Sequence, residues 1–106
     1  MTIYNKLVRD KIPEICLKSG FKPHTHIIKG LDLIDALKEK LVEEANEAKA
    51  NPVIEELADV SEVVISLGKQ LGYSAKQIEA MRIKKSKERG GFKKGIFLEK
   101  TEKLNK

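Results

Sequence analysis

The chain has 106 residues, of which 41% are hydrophobic and 35% are charged, so it is too apolar for a disordered chain and too polar for a membrane protein. This length suits a single domain over residues 1–106 with one modest core. The only cysteine cannot form an internal disulfide, and residues 1–6 lack the apolar core of a secretory signal. A cytoplasmic protein with no membrane partner is therefore expected.

The net charge of +5 is unevenly distributed along the chain. Residues 82–106 contain ten basic and three acidic residues, which leaves the rest of the chain with a net charge of −2. A basic end of this kind favours an anionic partner such as a nucleotide, a nucleic acid or a membrane surface. A solvated tail explains the last ten residues equally well.

The first predicted element is a helix within residues 7–19, where apolar residues recur at helical spacing. Pro13 fits the first turn of a helix, so the helix is expected to begin near it and to end at Gly20. Residues 21–29 contain a proline and an apolar pair, which favours extended chain and allows one short strand.

Three longer helices are predicted next, each with an apolar stripe on one face. They cover residues 32–49, 51–71 and 74–89, and they begin respectively with an aspartate cap, an Asn-Pro pair and a serine cap. The stripes consist of Ile34, Leu37, Leu41, Ala45 and Ala48 in the first and of Val53, Leu57, Val60, Val64, Leu67 and Leu71 in the second. A Gly-Gly pair ends the third helix. The predicted fold class is all-α, an antiparallel helical bundle that allows a short β-strand pair near the N-terminal third and at residues 95–98.

Two pairs of acidic residues on consecutive helices suggest a chemical function. Glu44 and Glu47 are three residues apart on one helix, and Glu56 and Asp59 are three apart on the next. Side chains at this spacing have Cβ atoms about 5–6 Å apart and can share one hard cation. A helical wheel turns Glu44 and Glu56 toward the apolar stripes, where an isolated carboxylate is costly without a cation or a hydrogen-bonded partner. The pattern predicts a divalent-cation site or, alternatively, a solvated acidic face with Glu–Lys pairs.

The same residues resemble a known superfamily, the MazG-like all-α nucleoside triphosphate pyrophosphohydrolases, whose hallmark is ExxE on one helix and ExxD on the next. The likeness is greatest to its small phosphoribosyl-ATP pyrophosphohydrolase-like, or house-cleaning, subgroup. It covers nearly the whole chain in four blocks, namely residues 4–13 (YNKLVRDKIP), 40–44 (KLVEE), 55–60 (EELADV) and 89–92 (RGGF). Eight residues separate Glu47 from Glu56, a shorter interval than is usual in the superfamily, and Pro52 is expected to force the turn between them.

The resemblance implies a magnesium-dependent hydrolase, with manganese as an alternative cation, that cleaves a nucleoside triphosphate or a phosphoribosyl-ATP-like nucleotide to a monophosphate and pyrophosphate. It implies Glu44, Glu47, Glu56 and Asp59 as metal ligands. It also implies Glu44 or Glu47 as the catalytic group that orients or deprotonates the attacking water. A role in cleaning the nucleotide pool and self-association into a homo-oligomer, a dimer or larger, are implied as well.

Four basic residues are candidates for binding the phosphate oxygens of such a substrate. Lys85 and Arg89 are four residues apart, so they share one helix face beside the Gly-Gly pair, whose backbone N–H groups can cradle an anion. Arg9 and Lys11 are candidates near the N-terminus. In the alternative interpretations, the glycines only end the helix and the two N-terminal basic residues form local ion pairs with neighbouring acidic residues.

Two other functions are also compatible with the sequence. A nucleic-acid-binding module that uses the basic cluster at residues 84–94 would explain the pI near 9.3. The chain has no recognisable helix-turn-helix block or aromatic platform, so nucleic acid is not the expected partner. A non-catalytic helical interaction protein is the second alternative, although it gives no reason for carboxylates at the border of the core.

Overall fold

The fold consists of four α-helices in a computed structural model that describes residues 1–105, and no β-strand is present within that range. The helices are α1 (Ile12–Lys18), α2 (Gly30–Ala50), α3 (Ile54–Gln70) and α4 (Ala75–Arg89). The all-α class is confirmed. Helices α2 and α3 pack along each other as an antiparallel hairpin, whereas α4 contacts α3 much less. None of these helices is long and apolar enough to span a bilayer.

The predicted strand pair is wrong. Residues 21–29 and 95–98 are irregular chain, and neither segment pairs with another within residues 1–105. Ile27 and Phe97 are more than four-fifths exposed. A strand is stable only when its backbone N–H and C=O groups pair with a neighbour and one face is buried. The apolar composition of these segments supplies neither condition.

The starts of α2 and α3 differ from the prediction by two to three residues. Helix α2 begins before Asp32, which therefore lies in the first turn, where its charge still complements the helix dipole. Helix α3 begins after Val53, which replaces the predicted cap. Asn51 instead ends α2, since its backbone N–H donates to the Glu47 carbonyl oxygen at 2.9 Å. The Asn-Pro pair therefore forms the turn of the hairpin rather than the first turn of α3.

Ser74 caps α4 as predicted. Its Oγ accepts a hydrogen bond from the Gln77 backbone N–H at 3.1 Å, and the Gln77 Oε1 accepts one from the Ser74 backbone N–H at 2.8 Å. This reciprocal capping box satisfies two backbone donors that a helix start would otherwise leave without partners. The other end of α4 is closed by Gly90, whose φ of +82° suits glycine.

Loss of this cap is expected to destabilise α4. Ser74→Ala should lower the free energy of unfolding by about 1 kcal/mol, because the N–H of Gln77 loses its acceptor. The measurement is chemical denaturation followed by the helical signal in circular dichroism. Ser86→Ala, inside the same helix, is the matched control and should leave stability unchanged or slightly raised, because alanine favours a helix interior. Equal losses in both variants would contradict the role of the cap.

The face that joins α2 to α3 overlaps the predicted apolar stripes only in part. Within residues 1–105 the buried apolar side chains are Leu37 and Val63, one from each helix. Glu44, two turns after Leu37, is buried beside them, whereas Ala45 and Leu57 from the predicted stripes are exposed. The hairpin therefore buries acidic residues and leaves part of its apolar surface outside.

The single chain leaves an unusually large surface in contact with solvent. It exposes 10137 Å², whereas a folded monomer of 11.9 kDa exposes about 6000 Å². Its radius of gyration is 19.0 Å, against about 13 Å for a compact domain of this length. Large apolar side chains are among the exposed groups, including Leu57, Met81 and Phe92. This surface is available for contact with another molecule.

Candidate metal centre

Three of the predicted metal ligands meet between α2 and α3. One carboxylate oxygen from each of Glu44, Glu56 and Asp59 lies within 4.8 Å of the other two. Glu56 and Asp59 are three residues apart on α3 and so point in similar directions, and the hairpin turn brings Glu44 of α2 opposite them. These three side chains are called the carboxylate triad below.

The triad contains two buried oxygen atoms without hydrogen-bond partners. The Glu44 side chain is only 9% exposed; its Oε1 lies 3.3 Å from the Lys40 Nζ, and its Oε2 has no partner. The Oε2 of Glu56 is likewise buried and without a partner. A buried charged oxygen left in this way costs free energy that a bound cation would recover. Carboxylate oxygens are the ligands that Mg²⁺ prefers, so the residues present fit a hard divalent cation.

Glu47 lies outside the triad but is linked to it through Glu44. Oxygens of Glu43, Glu44 and Glu47 form a second group within 4.8 Å of one another, so Glu44 belongs to both groups. Glu43 is already neutralised by Lys6 Nζ at 3.1 Å and by Lys40 Nζ at 3.3 Å. Glu47 is exposed, and the nearby negative charge of Glu44 is the main cause that raises the pKa of the Glu47 carboxyl above its usual 4.5.

The raised pKa of Glu47 predicts how the stability of the cation-free protein depends on pH. Protonation of Glu47 removes its repulsion with the negative charge of Glu44, so this contribution to the stability of the folded state is fully present below pH 4.5 and is lost as the pH rises through the raised pKa. The expected result is a thermal midpoint in chelator that falls over this range more steeply in the wild type than in Glu47→Gln. Parallel pH profiles for the two proteins would contradict the raised pKa of Glu47.

A cleft of about 500 Å³ opens beside the triad. It lies between residues 7–11, α2 and α3, and Glu44 and Asp59 line it. Arg9 and Lys11 line it too, so the structure brings both N-terminal candidates next to the acidic residues. The Arg9 Nη2 lies 2.6 Å from the Asp59 Oδ1. Arg9 therefore pairs across the fold rather than with a neighbour in sequence.

The other two candidate phosphate-binding residues lie elsewhere in the single chain. Lys85 and Arg89 are exposed on α4 and do not line the cleft. The first glycine after Arg89 ends the helix, as the alternative interpretation expects. A role for Lys85 and Arg89 in substrate binding stays a prediction.

Lys40 and Lys69 line the cleft and were not among the predicted site residues. The Lys40 side chain is only 15% exposed, and its Nζ bridges Glu43 and Glu44. Its position four residues before Glu44 is also typical of the surface Glu–Lys pairs in the alternative interpretation of the sequence. The wheel position of Lys40, next to Leu37 and Glu44, is the pattern that could have identified it.

No model of a known protein family, no curated protein and no solved structure matches this chain. The chemistry of the cleft is therefore the basis for assigning a function. That chemistry combines three converging carboxylates, an adjacent acidic residue with a raised pKa, and several cationic side chains.

Proposed function

We propose that the protein is a Mg²⁺-dependent pyrophosphohydrolase of the MazG-like type. Its substrate would be a nucleoside triphosphate or a phosphoribosyl-ATP-like nucleotide, and its products a monophosphate and pyrophosphate. The observation that carries the proposal is the convergence of Glu44, Glu56 and Asp59 with two buried oxygens that lack partners. Mn²⁺ is an alternative cation because it accepts the same oxygen ligands.

The acidic residues have separate tasks in this proposal. Glu44, Glu56 and Asp59 hold the cation, which supplies positive charge beside the phosphate oxygens. Glu47, which is exposed at the edge of the triad, would orient a water molecule and accept its proton. Glu44 is the alternative base.

The cationic side chains of the cleft suit the anionic part of the substrate. Arg9, Lys11, Lys40 and Lys69 line the same cleft as Glu44 and Asp59 of the triad. Guanidinium and ammonium groups form strong charge-assisted hydrogen bonds with phosphate oxygens. Phosphoryl transfer depends mainly on positioning and charge stabilisation, which such a lining supplies. The base of the nucleotide would extend beyond this polar region.

A panel of nucleoside triphosphates incubated with Mg²⁺ tests the proposal. Equal amounts of nucleoside monophosphate and pyrophosphate should appear, and chelation of the cation should stop their release. Release of orthophosphate, or no release from any substrate in the panel, would overturn it. Cation-independent binding to duplex DNA or RNA that weakens steeply with salt would instead favour the nucleic-acid-binding alternative.

We further propose that the protein works as a homo-oligomer, a dimer or larger, in the cytoplasm, where it would remove unwanted nucleotides from the pool. The exposed area of 10137 Å² and the small buried core support self-association. Sedimentation equilibrium should give a mass of at least twice 11.9 kDa. A monomer at all concentrations would contradict it, and an inactive oligomer would favour the non-catalytic interaction protein.

A further inference from the structure

Residues 4–11 form a strap that crosses the cleft from α2 to α3. The strap bends at Asn5, whose φ of +45° lies in a region that asparagine tolerates. Two ion pairs anchor it: Lys6 Nζ lies 3.1 Å from the Glu43 Oε1 on α2, and Arg9 Nη2 lies 2.6 Å from the Asp59 Oδ1 on α3. Leu7 and Val8, between the two anchors, are half-buried in the cleft.

The second anchor uses a carboxylate that belongs to the triad. Asp59 has an oxygen within 4.8 Å of oxygens from Glu44 and Glu56, so a cation held by all three would lie close to the Arg9 guanidinium. Two positive groups at that separation repel each other strongly, particularly beside the mostly buried Glu44. The Lys6 anchor involves Glu43, which is outside the triad, so it does not meet the same competition.

We propose that Arg9 is the built-in counter-ion of the metal centre and exchanges partners when the cation binds. In the cation-free protein the guanidinium neutralises Asp59, and the bound cation then displaces it while Lys6 keeps the strap attached. The freed guanidinium binds a phosphate oxygen of the substrate. Cation and triphosphate therefore each strengthen the binding of the other. This inference rests on the proposed function and adds to it the coupling between the cation and the substrate.

Arg9 differs from the other cations of the cleft in this respect. Lys40 contacts Glu44 and Glu43 and is largely buried, so it has little freedom to leave. Lys11 lines the cleft but forms no ion pair within residues 1–105, so it has no carboxylate to release. Arg9 combines a partner in the triad with a side chain that is 57% exposed and free to swing toward the cleft.

Titration with Mg²⁺ alone tests the exchange without any turnover. Arg9→Gln should bind Mg²⁺ about two- to five-fold more tightly than the wild type, which is the range expected when an exposed ion pair no longer competes. Lys11→Gln removes the same charge from the same strap and should change the affinity by less than about 1.5-fold. Circular dichroism should give equal helical content, since Arg9 is largely exposed.

The second titration uses an α,β-methylene triphosphate at saturating Mg²⁺. Here Arg9→Gln should weaken binding, whereas it strengthens the binding of Mg²⁺ alone. Arg9→Gln should bind the analogue about tenfold more weakly, because a charge-assisted hydrogen bond to phosphate is lost. Arg9→Lys, which keeps the charge, should lose less than Arg9→Gln. A purely structural role for Arg9 would not make the same variant bind Mg²⁺ more tightly and the triphosphate analogue more weakly.

The outcomes separate this inference from the proposed function. Mg²⁺ affinity in Arg9→Gln that equals or falls below that of the wild type would overturn the exchange, because Arg9 would then only position Asp59. An equal gain in Mg²⁺ affinity in Lys11→Gln would also overturn it, because the loss of any positive charge near the site would then explain the gain in both variants. A wild type that binds no Mg²⁺ would remove the proposed function itself, which is a different result.

Discussion

Glu56→Gln is expected to abolish the release of pyrophosphate while leaving the helical content unchanged. Glu56 contributes to the triad, and its buried Oε2 has no other partner. Glutamine keeps the size of the side chain but removes one of three negative charges that would hold the cation. Changes to groups that merely support metal ligands cost about 10- to 100-fold, so loss of a ligand should cost at least about 100-fold in activity.

The adjacent residue supplies the control for this prediction. Glu55→Gln removes the same charge from the same turn of α3, but Glu55 is exposed and belongs to neither carboxylate group. Its activity and Mg²⁺ affinity should stay within about twofold of the wild type, as expected for a screened surface charge. Steady-state rates and a Mg²⁺ titration measure both variants. Normal activity in Glu56→Gln would remove Glu56 from the site.

The carboxylate triad could be predicted from the sequence because its geometry is mostly local. Glu56 and Asp59 converge by their spacing on one helix, and a short turn forces the helix that carries Glu44 to lie antiparallel beside them. The extent to which Glu44 is buried was not predictable. The wheel placed the centre of the stripe between Leu41 and Ala45, because it considered only where apolar residues cluster.

The partial mismatch between the contact face of the hairpin and the predicted stripes has a physical explanation. Leu37, Glu44 and Val63 are buried, while Leu57 of the predicted stripe is 58% exposed. Apolar periodicity identifies residues that avoid water, but it does not tell which partner covers them. The exposed apolar residues of the stripe are free to contact another molecule, which the proposed oligomer would supply. The same reasoning explains why the predicted strands are absent from residues 1–105, since each needed a partner segment.

The Arg9–Asp59 pair shows where sequence reasoning fails for a different reason. The two residues are 50 positions apart, and Arg9 has acidic residues much nearer in the chain, at Asp10 and Glu14. An ion pair between exposed side chains gains little free energy, so the possible partners of Arg9 differ little in stability. The periodicity of the sequence does not distinguish between such partners. The tertiary path of the strap decides the pairing. Glu14 instead pairs with Lys18, one turn along α1.

Glu44→Gln is expected to make the protein more stable without Mg²⁺ and less stable than the wild type with it. The Glu44 side chain is nine-tenths buried beside two other carboxylates, and its Oε2 has no partner. The neutral amide should raise the free energy of unfolding of the cation-free protein by about 1 kcal/mol, because no charge is then desolvated. Its oxygen can still accept a hydrogen bond from Lys40.

In the presence of Mg²⁺ the wild type should be more stable than Glu44→Gln. Mg²⁺ at about 100 times its dissociation constant stabilises a protein that binds it only when folded by about 2.7 kcal/mol, and Glu44→Gln should gain little of this. Thermal unfolding in chelator and in Mg²⁺ measures both effects, and Glu39→Gln, exposed on α2, should behave as the wild type in both. If Glu44→Gln is less stable than the wild type in chelator, the Glu44 side chain stabilises the fold without a cation. If Glu44→Gln has the higher thermal midpoint in chelator and the wild type has the higher one in Mg²⁺, the buried charge of Glu44 serves to bind a cation.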